Sequence, residues 1–171
     1  YQKIQNLLFV QNSSLAEEWM RGDKTSEDIC NWLEAKTGYA SSLLLDELTK
    51  SCECMTLSNE VAQLIPELKK NRYIVLITDN MDCFSRFTVP KNQLGELFDG
   101  IINSSDVKRL KRDQDGLLFD EIAQRYAFPL ADCSLIDDSQ KTCALFQKRG
   151  GVAYQTSSVQ NSMEILSSLI D

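Results

Sequence analysis

Apolar residues follow two rhythms along the chain. Through roughly the first seventy positions they recur every three or four residues, the spacing that places them on one face of a helix. Ile29, Trp32 and Leu33 follow Thr25-Ser26-Glu27-Asp28. That stretch resembles an N-cap with an acidic first turn, Asp28 standing where a capping box usually has Glu or Gln. Gly38 suits the position just past the helix end. Leu44, Leu45 and Leu48 continue the pattern in a second segment. Ser58-Asn59-Glu60 opens a third, with Val61, Leu64, Ile65 and Leu68 on one side and Pro66 inside. An interior proline loses a hydrogen bond and clashes with the preceding turn, at about 3 kcal/mol, so a kink or a later helix start is expected. The Trp and Leu positions read as core.

The second half changes period. Tyr73-Ile74-Val75-Leu76-Ile77 is a continuous apolar run, as in a strand covered on both faces. Gly100-Ile101-Ile102-Asn103 reads as a second strand, Cys133 to Ile136 as a third and Val152-Ala153-Tyr154 as a fourth. Helices are predicted over Leu117 to Ala127, Gln140 to Lys148 and Ser162 to Ile170, with Gly150-Gly151 as a stop. Strands alternating with helices imply a parallel sheet with right-handed crossovers. Ligands of such sheets bind outside the carboxyl ends of the strands.

Composition narrows the class. A chain of 171 residues with 43% apolar content suits one compact domain with a small subdomain. The formal charge of −7 and a pI near 4.7 argue against nucleic acid as a partner. The acidic residues are dispersed, as for ordinary solubility. No apolar run approaches the ~18 residues of a membrane span, and Tyr1 to Val10 lack the basic start of a signal peptide. Six cysteines at irregular spacing read as reduced and structural, in a cytoplasmic protein. Cys52-Glu53-Cys54 has the form of a redox or soft-metal pair, but two thiolates do not complete a zinc site. Histidine is absent, which excludes a histidine base, Ser-His triads and His-ligated metals.

Three places carry candidate chemistry. The apolar run Ser134-Leu135-Ile136 ends in Asp137-Asp138-Ser139. Neighbouring carboxylates at a strand tip repel, and burial costs each its hydration. A cation relieves both, and Mg²⁺ takes hard oxygen ligands while keeping several waters. Capping of the helix that begins near Ser139 explains one aspartate well and two less well. Thr78-Asp79-Asn80 ends the first strand, where a hydroxyl and the following N–H groups donate to a phosphoryl oxygen, or simply form a turn. Lys111, in a basic stretch, is either solvated or placed to offset phosphoryl charge.

Thr78, then Lys111, then Asp137-Asp138-Ser139, each tied to a successive strand, resembles the haloacid dehalogenase (HAD) superfamily of hydrolases. Asn103-Ser104-Ser105-Asp106-Val107 with Lys111-Arg112-Asp113 looks like the stretch around the family's lysine, with Arg112 in place of its usual proline. Arg21-Gly22-Asp23-Lys24-Thr25-Ser26-Glu27 looks like part of the small helical cap of one subgroup. The resemblance implies an α/β, HAD-like Rossmannoid parallel sheet with a helical cap over residues 1–56 and an α/β core over 57–171. It implies Mg²⁺-dependent hydrolysis of a small phosphate monoester. Asp137 and Asp138 would hold the metal, Asp138 foremost; Thr78, Asp79 and Asn80 would bind the phosphoryl group; Lys111 would offset charge. The implied partner is a small phosphorylated metabolite, with no nucleic acid and no membrane; a homodimer is one assembly compatible with it.

The family's nucleophile motif, a strand ending in Asp-X-Asp, has no match in the chain. Asp113-Gln114-Asp115 has the spacing but sits in a polar loop beside Lys111. Two explanations compete. The nucleophile strand belongs upstream of Tyr1, or Leu7-Leu8-Phe9-Val10-Gln11-Asn12-Ser13-Ser14-Leu15 is a decayed version with Val10 and Asn12 in place of the aspartates. The first is favoured, because too few residues separate Val10 from Arg21 for the preceding cap helix. The family's nucleophile strand lies between the strands ending at Thr78 and Asp137, and without it both would keep unpaired edges. Two other readings stay open: a 2-haloacid dehalogenase, which needs no metal, and a non-catalytic binding or regulatory member.

Overall fold

The computed structural model describes residues 2–170; Tyr1 and Asp171, the outer ends of the expected cap and core, lie outside the described residues. After helical turns at Gln2–Gln5 and Asn6–Val10 come α1 (Ser13–Met20), α2 (Ser26–Thr37), α3 (Ser41–Glu53) and α4 (Asn59–Leu68). The second half runs β1 (Val75–Thr78), β2 (Gly100–Asn103), α5 (Leu117–Arg125), β3 (Ser134–Asp137), α6 (Gln140–Lys148), β4 (Val152–Gln155) and α7 (Val159–Ser168). Short turns fill the β1–β2 connection at Phe84–Thr88, Val89–Lys91 and Leu94–Leu97.

Local sequence chemistry accounts for most boundaries. Thr25 and Asp28 form a reciprocal capping box, so aspartate serves where Glu or Gln is usual, and Gly38 ends α2 in the left-handed region at φ 78°. Ser58 caps α4 through the Val61 N–H. That helix starts at Asn59 and runs through Pro66, so the later start does not occur. Pro66 lies only two residues before the helix end, and Ile65 and Leu68 beside it are buried; their burial offsets a single missing N–H. The strand expected from Tyr73 begins at Val75, and the last helix begins at Val159, because Ser158 caps it through Asn161 N–H. Leu7–Val10 and Ser13–Leu15 are helical on either side of a turn at Gln11-Asn12, so no strand forms there.

The chain divides into two compact units, the first comprising the residues up to Thr56 together with Val75–Arg109, the second Leu57–Ile74 together with Leu110–Asp171. In the first, β1 and β2 are parallel, with Val75 opposite Gly100 and Thr78 opposite Asn103. Its core gathers Leu8, Trp19, Ile29, Leu33, Cys52 and Cys83, with Leu15, Trp32 and Leu48 packed against them. Gly22 ends α1 in a Schellman-type turn, its N–H donating to Trp19 O and the Asp23 N–H to Glu18 O. Glycine is required there twice over: φ is +70°, and a Cβ would fall on the Ser105 carbonyl oxygen.

In the second unit, β3 and β4 are parallel, with Ser134 opposite Val152 and Asp137 opposite Gln155. Helix α6 packs on both strands and α7 on α4. Phe119 of α5 meets Phe146 of α6 edge to face at 5.0 Å, inside a core that includes Leu110, Leu118 and Ile122. Each sheet therefore has two strands, and each strand one edge with no strand neighbour among the described residues.

Candidate functional site

The tip of β3 carries the densest chemistry of the second unit. Leu110 is fully buried, and its N–H donates to Asp113 Oδ2 at 3.0 Å while Asp113 N–H returns to Leu110 O at 3.1 Å. This closed turn brackets Lys111 and Arg112. Gln114 and Asp115 then take positive φ (50° and 57°), and Gly116 follows at 82° before α5 begins. Two successive non-glycine residues in the left-handed region are sterically costly. Asp113-Gln114-Asp115 thus forms a left-handed turn rather than a strand end.

The turn directs Lys111 inward. Its Nζ sits 2.7 Å from Asp137 Oδ2, with the two side chains 15% and 7% exposed. Lys111 is accordingly no solvated member of a basic patch. Asp137 Oδ1 accepts the Ser139 N–H at 2.8 Å, and the Cys143 thiol donates to the Asp137 carbonyl at 3.6 Å. Burial raises the Cys143 thiol pKa, and the Asp137 charge adds to the rise. Ser139 itself caps α6 through Thr142 N–H, so neither aspartate caps the helix. Asp138 is exposed, and its carbonyl accepts from Gln155 Nε2 at 3.2 Å.

This corrects the electrostatic argument drawn from the adjacent carboxylates. The cation that buried Asp137 requires is the Lys111 ammonium, and Asp138 keeps its hydration, so the pair is stable without a metal. The residues nevertheless fit Mg²⁺. Among the described residues no group of three His, Cys, Asp or Glu is placed to hold a metal, but Mg²⁺ is commonly bound through one or two carboxylates with water and substrate phosphate completing the shell. Exposed Asp138 suits that role better than Asp137, both of whose oxygens already have partners.

Thr78, Asp79 and Asn80 belong to the first unit. Thr78 is half-buried at the end of β1, opposite Asn103. The chain beyond it rests on buried polar groups: Asn80 N–H donates to Asn103 Oδ1 at 3.2 Å and Ser104 Oγ at 3.0 Å, and Met81 N–H to Asn80 Oδ1 at 2.9 Å. Asn103 Nδ2 donates to Met81 O and Ser85 Oγ, both at 3.0 Å, and Ser104 Oγ to Met20 O at 2.7 Å. Asn103 and Ser104 are almost fully enclosed (0% and 1% exposed), where unpaired polar groups would be expensive. The N–H groups of residues 80 and 81 are thereby committed within the protein.

One residue further on, Asp82 joins three elements of the same unit. Its Oδ1 accepts Trp19 Nε1–H and Ser26 Oγ–H, each at 2.7 Å, and Oδ2 accepts Arg86 Nη1–H at 2.8 Å. Arg86 also forms a bidentate pair with Glu27, at 2.9 and 2.6 Å. Burial pushes the Asp82 carboxyl up, but the bonds from Arg86, Ser26 and Trp19 outweigh it and hold it below the ordinary carboxylate value. The Arg86 bond lowers Glu27 likewise. Within the Arg21-to-Glu27 stretch, Ser26 and Glu27 therefore anchor the helix, Gly22 makes the close approach, and Arg21 pairs with Glu17 at 2.7 Å. Sequence reasoning did not single out Asn103, Asp82 or Arg86 individually. The available signal was polar residues at the ends of apolar runs.

A surface depression of about 240 Å³ in the second unit is lined by Asp115, Asp120, Lys148 and Arg149. These residues satisfy one another, Lys148 with Asp115 at 3.0 Å and Arg149 with Asp120, which leaves an ion-pair network rather than a binding cleft.

No protein-family model matches the chain, and no curated protein matches it. Solved structures do match. A predicted HAD-like family hydrolase from Porphyromonas gingivalis has a TM-score of 0.78 at 17% identity, covering 97% of this chain and 83% of that one. A HAD family enzyme from Bacteroides thetaiotaomicron, in its magnesium complex, gives 0.77 at 12% identity, covering 96% of this chain and 85% of that one. The same enzyme with magnesium and inorganic phosphate gives 0.72 at 12% identity, over 92% and 85%. The fold is thus haloacid dehalogenase-like, parallel α/β with a helical cap. At such identities the likeness establishes the fold and leaves the chemistry to the residues.

Proposed function

We propose that the complete protein is a Mg²⁺-dependent HAD-like phosphatase acting on a small phosphate monoester in the cytoplasm. The observation that carries this reading is the β3 tip: a half-buried lysine fixed to one aspartate while the next aspartate stands exposed. In this reading Asp137 positions Lys111, and the ammonium offsets charge on the phosphoryl oxygens. Asp138 would supply the principal protein oxygen to the metal, with Asp137 beside it. Mg²⁺, when bound, would neutralise phosphate charge and orient the ester. The Thr78 hydroxyl donates to a phosphoryl oxygen, and Asp79 and Asn80 shape the surrounding loop. The helical cap, assigned to residues 1–56, excludes water and selects the substrate.

The attacking carboxylate is assigned to an Asp-X-Asp strand outside these 171 residues, carried by the same protein or by another chain. The single-edged pairing of β1 and of β3 supports this. Neighbours solved with magnesium and with inorganic phosphate support the choice of phosphate over halide chemistry. A second reading, a non-catalytic phosphate-binding member, is favoured by one observation: none of the four described strands ends in Asp-X-Asp.

Hydrolysis of p-nitrophenyl phosphate by the complete protein separates the two. The phosphatase reading expects turnover that requires Mg²⁺ and falls by about 10²-fold or more in Asp138→Asn, the loss typical of removing a group that stabilises transition-state charge. Undiminished turnover in Asp138→Asn refutes the site assignment. Phosphate binding without any turnover favours the second reading.

A further inference from the structure

The turn that aims Lys111 is costly as it stands. Gln114 (φ 50°, ψ 45°), Asp115 (57°, 32°) and Gly116 (82°, 23°) are successive left-handed residues, and only the glycine enters that region without a Cβ penalty. The Leu110–Asp113 bonds close the chain before the turn. The contacts beyond it come from the end of α6. Lys148 reaches Asp115 Oδ2 at 3.0 Å, but the two side chains are 66% and 71% exposed, so that pair contributes little. Arg149 is only 23% exposed and makes two bonds: Nη1 donates to Asp115 O at 2.9 Å, and Nε donates to Asp120 Oδ2 of α5. A rigid guanidinium fork suits two acceptors at once. A Cβ at Gly116 would lie 3.4 Å from Arg149 Cδ and 3.2 Å from Phe119 Cδ2, so the arginine stem and that ring grip the turn from its two sides.

We propose that Arg149 is a positioning residue for Lys111, holding the left-handed turn closed so that the ammonium meets Asp137. Helix α6 carries both halves of this alignment. At its start the Ser139 N–H fixes Asp137 Oδ1 at 2.8 Å, and at its end Arg149 fixes the turn that delivers Lys111. The consequence for phosphoryl chemistry rests on the reading given above; the alignment of the ion pair does not.

The test is acetylation of the complete protein by trace N-hydroxysuccinimide acetate, read peptide by peptide in a mass spectrometer. Lys50, 66% exposed and in the first unit, is the internal reference. In the unmutated protein Lys111, 15% exposed and ion-paired, should label far more slowly than Lys50. Arg149→Met should speed Lys111 on the order of tenfold with Lys50 unchanged, as the left-handed residues relax to ordinary φ. Adding Gln114→Gly should remove most of that rise, because glycine takes the left-handed region freely and the Gln114 side chain is exposed. A purely packing role for Arg149 would not be rescued in this way. Unchanged Lys111 labelling in folded Arg149→Met, or a rise that Gln114→Gly leaves in place, overturns the proposal. If Arg149→Met does not fold, Gln114→Gly alone decides: slower Lys111 labelling than in the unmutated protein supports the proposal, and equal or faster labelling overturns it. With p-nitrophenyl phosphate the same variants should lower and then restore kcat with little change in KM, since Lys111 would act on charge that grows in the transition state. Labelling needs no turnover, so the expected labelling without any hydrolysis upholds the role of Arg149 and refutes the phosphatase reading.

Discussion

The carboxyl ends of β1 and β3 handle polar groups in opposite ways. Beyond β1, Asn103 and Ser104 are enclosed and turned onto the backbone of residues 80 and 81, and Asp82 binds two helices and an arginine. Almost everything there is spent on structure. Beyond β3, one aspartate is spent in the same manner on Lys111 and Ser139, while its neighbour is left facing solvent. Folding stability gains nothing obvious from that exposed carboxylate at a strand tip. The contrast separates a supporting role for Asp137 from the ligand role proposed for Asp138.

The largest effect expected from this contrast is on stability at the β3 tip. Lys111→Met leaves the buried Asp137 carboxylate without its cation and should cost about 3–5 kcal/mol in urea denaturation. Lys111→Met combined with Asp137→Asn removes both charges and should recover at least half of that loss. If the double variant is instead as unstable as the two single losses added together, the ion pair is not what links these residues.

A smaller effect belongs to the β1 side. Asp82 and Glu27 have folded-state pKa values below their unfolded ones, because the Arg86, Ser26 and Trp19 hydrogen bonds of Asp82 outweigh its burial and the Arg86 bond lowers Glu27. A depressed carboxyl pKa stabilises the fold above the unfolded value, near pH 4, and that contribution disappears as pH falls through the folded value. Thermal unfolding between pH 5 and pH 2 should therefore show a falling midpoint that flattens in Asp82→Asn, whose starting midpoint is lower. The partly exposed Glu27–Arg86 pair adds little and less in high salt. An unchanged acid slope in Asp82→Asn would assign the acid sensitivity elsewhere.

Much of the architecture was legible in local chemistry. Thr25, Ser58 and Ser139 cap the helices they precede, and the apolar runs before Thr78 and Asp137 are strands. The order of Thr78, Lys111 and Asp137-Asp138 sufficed to place the chain in the HAD-like fold that solved structures share. What stayed hidden were pairings between distant segments. Nothing near Lys111 in sequence announces that a left-handed turn aims it at Asp137. Such pairings depend on which segments tertiary packing brings together, and local periodicity carries no information about that.

The central claim is that the exposed carboxylate at the β3 tip, rather than the lysine-bound one, is the principal protein ligand for magnesium. Isothermal titration of MgCl₂ into the complete protein and its Asp138→Asn variant tests this directly. The account predicts a saturable single-site heat in the unmutated protein that vanishes in Asp138→Asn while the fold is retained. Equal magnesium uptake by both proteins would contradict it.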